Sequence, residues 1–517
     1  MMARAASLML LAGVLLTLAG AHAAPPRPTD LATRIDRRLE ARFKGDAIHP
    51  APRAEDAEFL RRASLDLIGR IPRTADVHEF LADSSADKRA RLIDELLEEP
   101  RFAVHFANLW RADLLPETSS SGQAALFQTG FQSWLIERFR ANVPYDQMVR
   151  ELLTAPVGGG REGEPVLRDP ERPNPLAFFA VKEASPEKLA ATVGRSFLGI
   201  RLECAQCHDH PFAKWTQEQF WSQSAFFAGF GKRGGLFAPL TEVADRRELR
   251  MLGNGKHIQP GFLDGGKPKL TPGQSSRVAL AEWVTAPSNP YFARAAVNKL
   301  WAHFFGVGLV NPVDDFRDDN KPSDPALLDD LAAAFVASGF DLSLLIRGIC
   351  RSEAYQRTSA RTHPSQDGTR LPARMTVKAL TGEQFFDSLA LATGYRDTQD
   401  KGAARRQFLT RFAQIGPPAE PETSVPQALT LLNGRFVAWA TDPQRCPTLI
   451  AVTQTPGLTR AGRIEALYLA TLGRRPTPVE RERLDRHVAR ADAGGEAERL
   501  ADVFWALLNC AEFRLNH

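Results

Sequence analysis

The stretch SPEKLAATVGRSFLGIRLEC, Ser185 to Cys204, constrains the fold more than any other in the 517-residue chain. Its apolar positions Leu189, Val193, Phe197, Ile200 and Cys204 fall at spacings of four, four, three and four, which is one face of an α-helix. Ser185 stands where an N-cap belongs, and Pro186 occupies the first helical position. The spacing predicts one helix running into Cys204, stopped by Pro211 just beyond His210.

Similar signals recur along the chain. DKRARLIDELLEEPRF sets Leu92, Leu96 and Leu97 on one face. TQEQF reads as a capping box of Thr216 with Gln219, and Trp215 and Phe220 are placed to form the staple. Further helices are predicted at about 275–286, 292–305, 325–337, 341–351, 376–393, 427–440, 460–472, 478–490 and 496–512. Strand signals are short and weak. The fold class is therefore mainly α and multi-helical, with two helical domains joined by a Gly/Pro-rich connector. The composition of Val157–Pro175 and of Gly231–Gly273 marks linkers. The second divides an N-terminal domain, 30–230, from a C-terminal one, 274–517, with 231–273 between them.

An internal echo accompanies this pattern. LDLIGRIPRTADVHEF (Leu65–Phe80) resembles LATLGRRPTPVERERL (Leu469–Leu484), each placing Gly-Arg-x-Pro between two helices. LLEEPRF, LLNCAEF and ICRSEAY close their units alike, at Phe102, Phe513 and Tyr355.

The first 23 residues read as a signal peptide. Arg4 precedes an apolar core, Leu8–Gly20, that is short for a membrane span, and AHA (Ala21–Ala23) fits a cleavage site. The expectation is an exported protein, periplasmic or cell-surface, with no membrane span after cleavage. Charge is nearly balanced, 65 basic against 61 acidic residues, which argues against a nucleic-acid partner. Export gives the five cysteines meaning. Cys350, Cys446 and Cys510 are scattered, too few for a disulfide scaffold, whereas Cys204 and Cys207 sit together in CAQCHDHPF.

Cys-x-x-Cys-His is the attachment signature of c-type haem. Two thiols three residues apart can each form a thioether with a haem vinyl group, and the adjacent His208 then faces the iron as proximal ligand. Three rivals stay open: a zinc site of Cys204, Cys207, His208 and His210, a redox dithiol, and a structural disulfide. Four ligands within seven residues strain a tetrahedral site, and a redox dithiol normally opens a helix rather than following one.

The segment Ser185–Ala228, with FLRRASLDLIGRIPRTADVHEFL upstream, resembles the planctomycete cytochrome-like family, domain of unknown function 1549. Downstream, RAAVNKLWAHFFGVGLVNPVDDFRDDNKPSDPALLDDLAAAFVASGFDLSLLIRGICRSEAYQRTS, MTVKALTGEQFFDSLALATG and SVPQALTLLNGRF resemble its companion, domain of unknown function 1553. The resemblance implies an exported, mainly helical protein with a cytochrome-like CxxCH. Cys204 and Cys207 carry over as thioether cysteines and His208 as the proximal ligand.

A sixth iron ligand is not evident. His303, among Trp301, Phe304 and Phe305, is a distal candidate or a hydrogen-bonded core histidine, and His105 has the same two readings. Met148, Met251 and Met375 read as core filler. The aspartates of VDDFRDDN are a calcium loop without EF-hand spacing or an Arg–Asp network. No phosphate loop, HExxH or GxSxG occurs. The reading is an exported c-type haem-binding protein with a redox or electron-transfer role and a redox partner protein. The alternatives are a metal-dependent periplasmic enzyme acting on carbohydrate, with zinc in place of haem, and a non-catalytic surface interaction protein with a structural CxxCH. Whether the chain is an enzyme is left open at this stage.

Overall fold

The computed structural model describes residues 27–157, 172–232, 237–396, 402–412, 435–490 and 495–517. The expected signal segment, most of the expected Val157–Pro175 linker and the start of the helix expected at 427–440 lie outside the described residues. What is described is mainly helical, with three two-stranded pairs. No helix among the described residues is long and apolar enough to cross a membrane.

The predicted helices form where capping and period agree. Lys88–Glu98 buries Leu92, Leu96 and Leu97 as expected, together with Ile93. Ser276–Val284, Phe292–Phe305, Pro325–Ala337, Leu342–Arg351, Arg460–Thr471, Pro478–Val488 and Glu496–Asn509 answer the expected C-terminal helices. The helix expected from 376 starts only at Gly382, because Lys378–Ala379 pairs as a strand with Leu515–Asn516. Thr216 accepts from the Gln219 N–H while Gln219 accepts from the Thr216 N–H, closing the predicted box on Gln217–Ala225.

The helix into Cys204 forms differently. Ser185 caps Pro186–Val193 as predicted, but a π-helical turn, Gly194–Leu198, follows. The chain then leaves the helix at Gly199, where φ is +68° and the Ile200 N–H closes on the Gly194 carbonyl. A tertiary contact packs against this stop. The Phe316 N–H donates to the Gly199 carbonyl, and a Cβ on residue 199 would sit 2.6 Å from the Phe316 ring. Leu189, Val193, Phe197 and Ile200 remain buried, whereas Cys204 is turned out to the surface.

The two echoing units share their local conformations. Asp56–Ile68 ends at Gly69 and Arg460–Thr471 near Gly473, both with positive φ. The helices that follow, Thr74–Ala82 and Pro478–Val488, each have an N3 carboxylate, Asp76 or Glu480, accepting the N-cap N–H. Lys88–Glu98, Glu496–Asn509 and Leu342–Arg351 all end on one extended residue, Glu99, Cys510 or Ser352, which at once starts the next helix. Arg61 and Arg62 gather two of these closures, donating to the Phe513 and Tyr355 carbonyls.

Packing does not divide where composition does. One apolar core runs from Leu31 to Met375 and takes in Leu469. A second draws on Leu380 to Phe513 and on Leu65 and Ile71 of the first unit. Between 231 and 273 the described chain makes two short hairpins, Phe230–Lys232 with Leu240–Glu242 and Leu249–Arg250 with His257–Ile258. Phe262 stacks between Phe226 and Trp283, so this connector is fastened to both flanking helices.

Candidate functional site

The CAQCHDHPF loop begins in a single 3-10 turn, Glu203–Gln206. Leu202 and Ala205 are buried and pin the turn to the core, while Cys204, Cys207 and His208 face solvent. Neither thiol is in a disulfide. The pair follows a helix and does not open one, unlike a redox dithiol at a helix N-terminus.

The following helix holds the loop in place. Gln217 Nε2 donates to the carbonyls of Gln206 and Cys207, at 3.2 and 3.0 Å. Trp221 Nε1 donates to the Gln206 carbonyl at 3.1 Å. Asp209 accepts the otherwise orphaned Gln217 N–H at 2.8 Å, and the His210 N–H reaches the Trp215 carbonyl at 2.8 Å. Asp209, Gln217 and Trp221 were not singled out from the sequence. The capping box at Thr216 was their one signal, since it marks free N–H groups beside the motif.

The two histidines of the loop carry opposite tautomers. His208 Nδ1 lies 2.7 Å from the Asp209 carbonyl oxygen, which can only accept, so Nδ1 bears the proton and the Nε2 lone pair is unengaged. His210 Nδ1 faces the Phe212 N–H at 3.2 Å, which can only donate, so in the neutral ring the proton sits on Nε2. Among the described residues no three His, Cys, Asp or Glu side chains converge on a point that would hold a metal ion, and the four-ligand zinc set is not assembled. The donors do fit a c-type haem: two reachable thiols at the right spacing, then an imidazole oriented by a carbonyl with its Nε2 available.

A loop from the C-terminal half borders the motif. Asp314 pairs with Arg201 at 2.6 Å, Arg317 lies 3.2 Å from both Asp315 and Asp319, and Asp318 is 3.9 Å from Lys214. VDDFRDDN is therefore an Arg–Asp network that docks beside the motif. Lys299 adds a deeper tie, bonding Asp113 at 2.7 Å and the Ser196 carbonyl inside the π turn at 2.9 Å.

His303 is half-buried against the core. Its Nε2 donates to the Asp66 carbonyl at 2.9 Å, and its ring is 5.7 Å from that of His105. Burial pushes both imidazoles below their ordinary pKa. Beside them the Asp66 carboxylate accepts from Lys378 (2.7 Å), Asn516 (2.7 Å) and the Tyr355 hydroxyl (2.9 Å), a buried network that nothing in the sequence pattern announced. Met148, Met251 and Met375 are core residues.

Against known families, residues 34–232 match PSCyt2, a protein of unknown function (DUF1549), and residues 276–414 match PSD1, a protein of unknown function (DUF1553). No curated protein and no solved structure matches the chain.

Proposed function

We propose that this chain, whose residues 34–232 match DUF1549 and whose residues 276–414 match DUF1553, is an exported c-type haem protein with an electron-transfer role. Haem, when bound, supplies one-electron redox chemistry. The chain's own residues do the rest. Cys204 and Cys207 provide the thioether sulfurs, and their exposure lets an attachment enzyme reach them. His208 provides the iron ligand. Asp209 fixes that ring by holding the proton on Nδ1, and Gln217 and Trp221 hold the backbone that carries the second thiol. The observation that carries the reading is the tautomer of His208 beside two reachable thiols. The apolar Leu8–Gly20 stretch and AHA support delivery to the compartment where such attachment takes place.

Thioether bonds survive denaturation and axial ligation does not. Protein matured with the haem-attachment machinery is expected to show a haem-stained band at its own mass on a denaturing gel. Cys204→Ala with Cys207→Ala removes the band, His208→Ala alters the absorption spectrum, and His210→Ala leaves it as in wild type. Stoichiometric zinc lost on His210→Ala, with no haem in any preparation, would overturn the reading in favour of the metal-dependent alternative.

A further inference from the structure

A cavity of about 200 Å³ opens where the motif loop meets the acidic loop of the C-terminal half. Its walls are aromatic, with Trp215 buried and the Tyr291 ring edge-on to it at 6.1 Å. Its rim is cationic, formed by Lys214, Arg294, Arg317 and Lys321, and Asp318 is the sole carboxylate that lines it. The two arginines are committed elsewhere, Arg294 to Asp329 and Arg317 to Asp315 and Asp319. The lysines are not. Lys214 lies 3.9 Å from an Asp318 that is 84% exposed, and its amino group sits 5.4 Å over the Trp215 ring. Lys321 is exposed, with no ion pair among the described residues.

We propose that this cavity binds a carboxylate carried on a planar apolar body, the carboxylate between Lys214 and Lys321 and the body against Trp215 and Tyr291. Two exposed lysines, one weakly paired and one without an ion pair among the described residues, beside an aromatic wall recognise that combination through charge-assisted hydrogen bonds and ring contact. The carboxylate has two possible sources: a free aromatic acid brought to the redox centre, or the propionate side chains of the haem itself. The second source rests on the haem reading above.

Benzoate is the probe. Calorimetric titration uses the full chain in two forms, haem-bearing wild type and the haem-free Cys204→Ala/Cys207→Ala protein, each with and without Lys214→Ala/Lys321→Ala. Both lysines are exposed, so the fold is retained, which circular dichroism checks. Benzoate is expected to bind the haem-free form, and the lysine pair to weaken it by about tenfold or more, as loss of a charge-assisted hydrogen bond implies. If benzoate also binds the haem-bearing protein, the ligand is a free acid. If it binds only the haem-free form, and the lysine variants lower the midpoint potential of the haem-bearing one, the carboxylates are the haem's own. Absence of benzoate binding to the haem-free protein, or binding indifferent to the lysines, overturns the proposal. The haem-free arm reads out even if haem never attaches, so the two failures are distinguishable.

Discussion

At the scale of single residues, the site depends on backbone carbonyls being held by side chains from the next helix. Gln217 binds two of them with one amide. Gln217→Ala is expected to destabilise the fold by only about 1 kcal/mol, the ordinary net worth of such bonds. It should lower the yield of haem-bearing protein by more than that stability loss explains, because the second thiol and His208 lose their fixed geometry. Denaturant unfolding and gel-band intensity, measured on the same preparation, separate the two effects. A wild-type yield would count against a positioning role. The cysteines and His208 were legible because their chemistry is written into adjacent positions. Their support was less so, since Gln217 and Trp221 look like ordinary first-turn and core residues until the loop folds back on them.

At the scale of elements, the Gly-Arg-x-Pro turn shows how a helix stop becomes an electrostatic clamp. Arg474 bonds Glu480, the N3 residue of the next helix, and Glu512 in the closing turn. Its guanidinium, mainly through those hydrogen bonds, brings the Glu480 carboxyl down to about 2 from the ordinary 4.5. A carboxyl with a depressed folded pKa adds stability above its unfolded value and loses it as pH falls through the folded value. The contribution is therefore present above about pH 4.5 and vanishes towards pH 2. Glu480 is a third exposed, so screening reduces it to the order of 1–2 kcal/mol. Urea unfolding at pH 7 and pH 3 is expected to show Arg474→Met less stable than wild type at the higher pH, with the gap narrowing at the lower. The caps of these elements were readable from Ser185, Thr216 and the Gly-Arg-x-Pro repeats. The end of the Ser185 helix was passed over, although Gly199 is a local stop signal; what periodicity does not record is that Phe316, more than a hundred residues away, packs against it. Nor does periodicity describe Asp56–Ile68, which is buried on every side from Phe59 onward.

At the scale of the molecule, the two cores are interlocked through that same helix and through the Asp66 network, in which the strand pair Lys378–Ala379 with Leu515–Asn516 brackets the Leu380–Phe513 segment of the second core and brings both its ends to one buried carboxylate. His105 and His303 lie beside it and are held neutral by burial, with His303, Arg101 and Lys378 adding to the effect on His105. The unfolded chain takes up protons at these histidines near pH 6.5 more readily than the folded chain does. Stability is thus fully present above that value and falls as pH drops below it, most of all through His105, whose pKa burial holds well below the ordinary value. His105→Phe, which retains an aromatic ring beside Phe106, is expected to flatten that fall between pH 6.5 and 5 in denaturant titrations. An unchanged slope would place the proton uptake elsewhere.

Gly199 carries this reasoning beyond the single molecule. The glycine lets the second family domain lay Phe316 against the first, and the larger core takes helices from both sides of the connector. A chain of residues 34–232 alone would expose to water much of the apolar surface that the rest of the chain covers. The two domains are thereby coupled in solubility: the 34–232 fragment is expected to aggregate where the full chain does not, which light scattering checks.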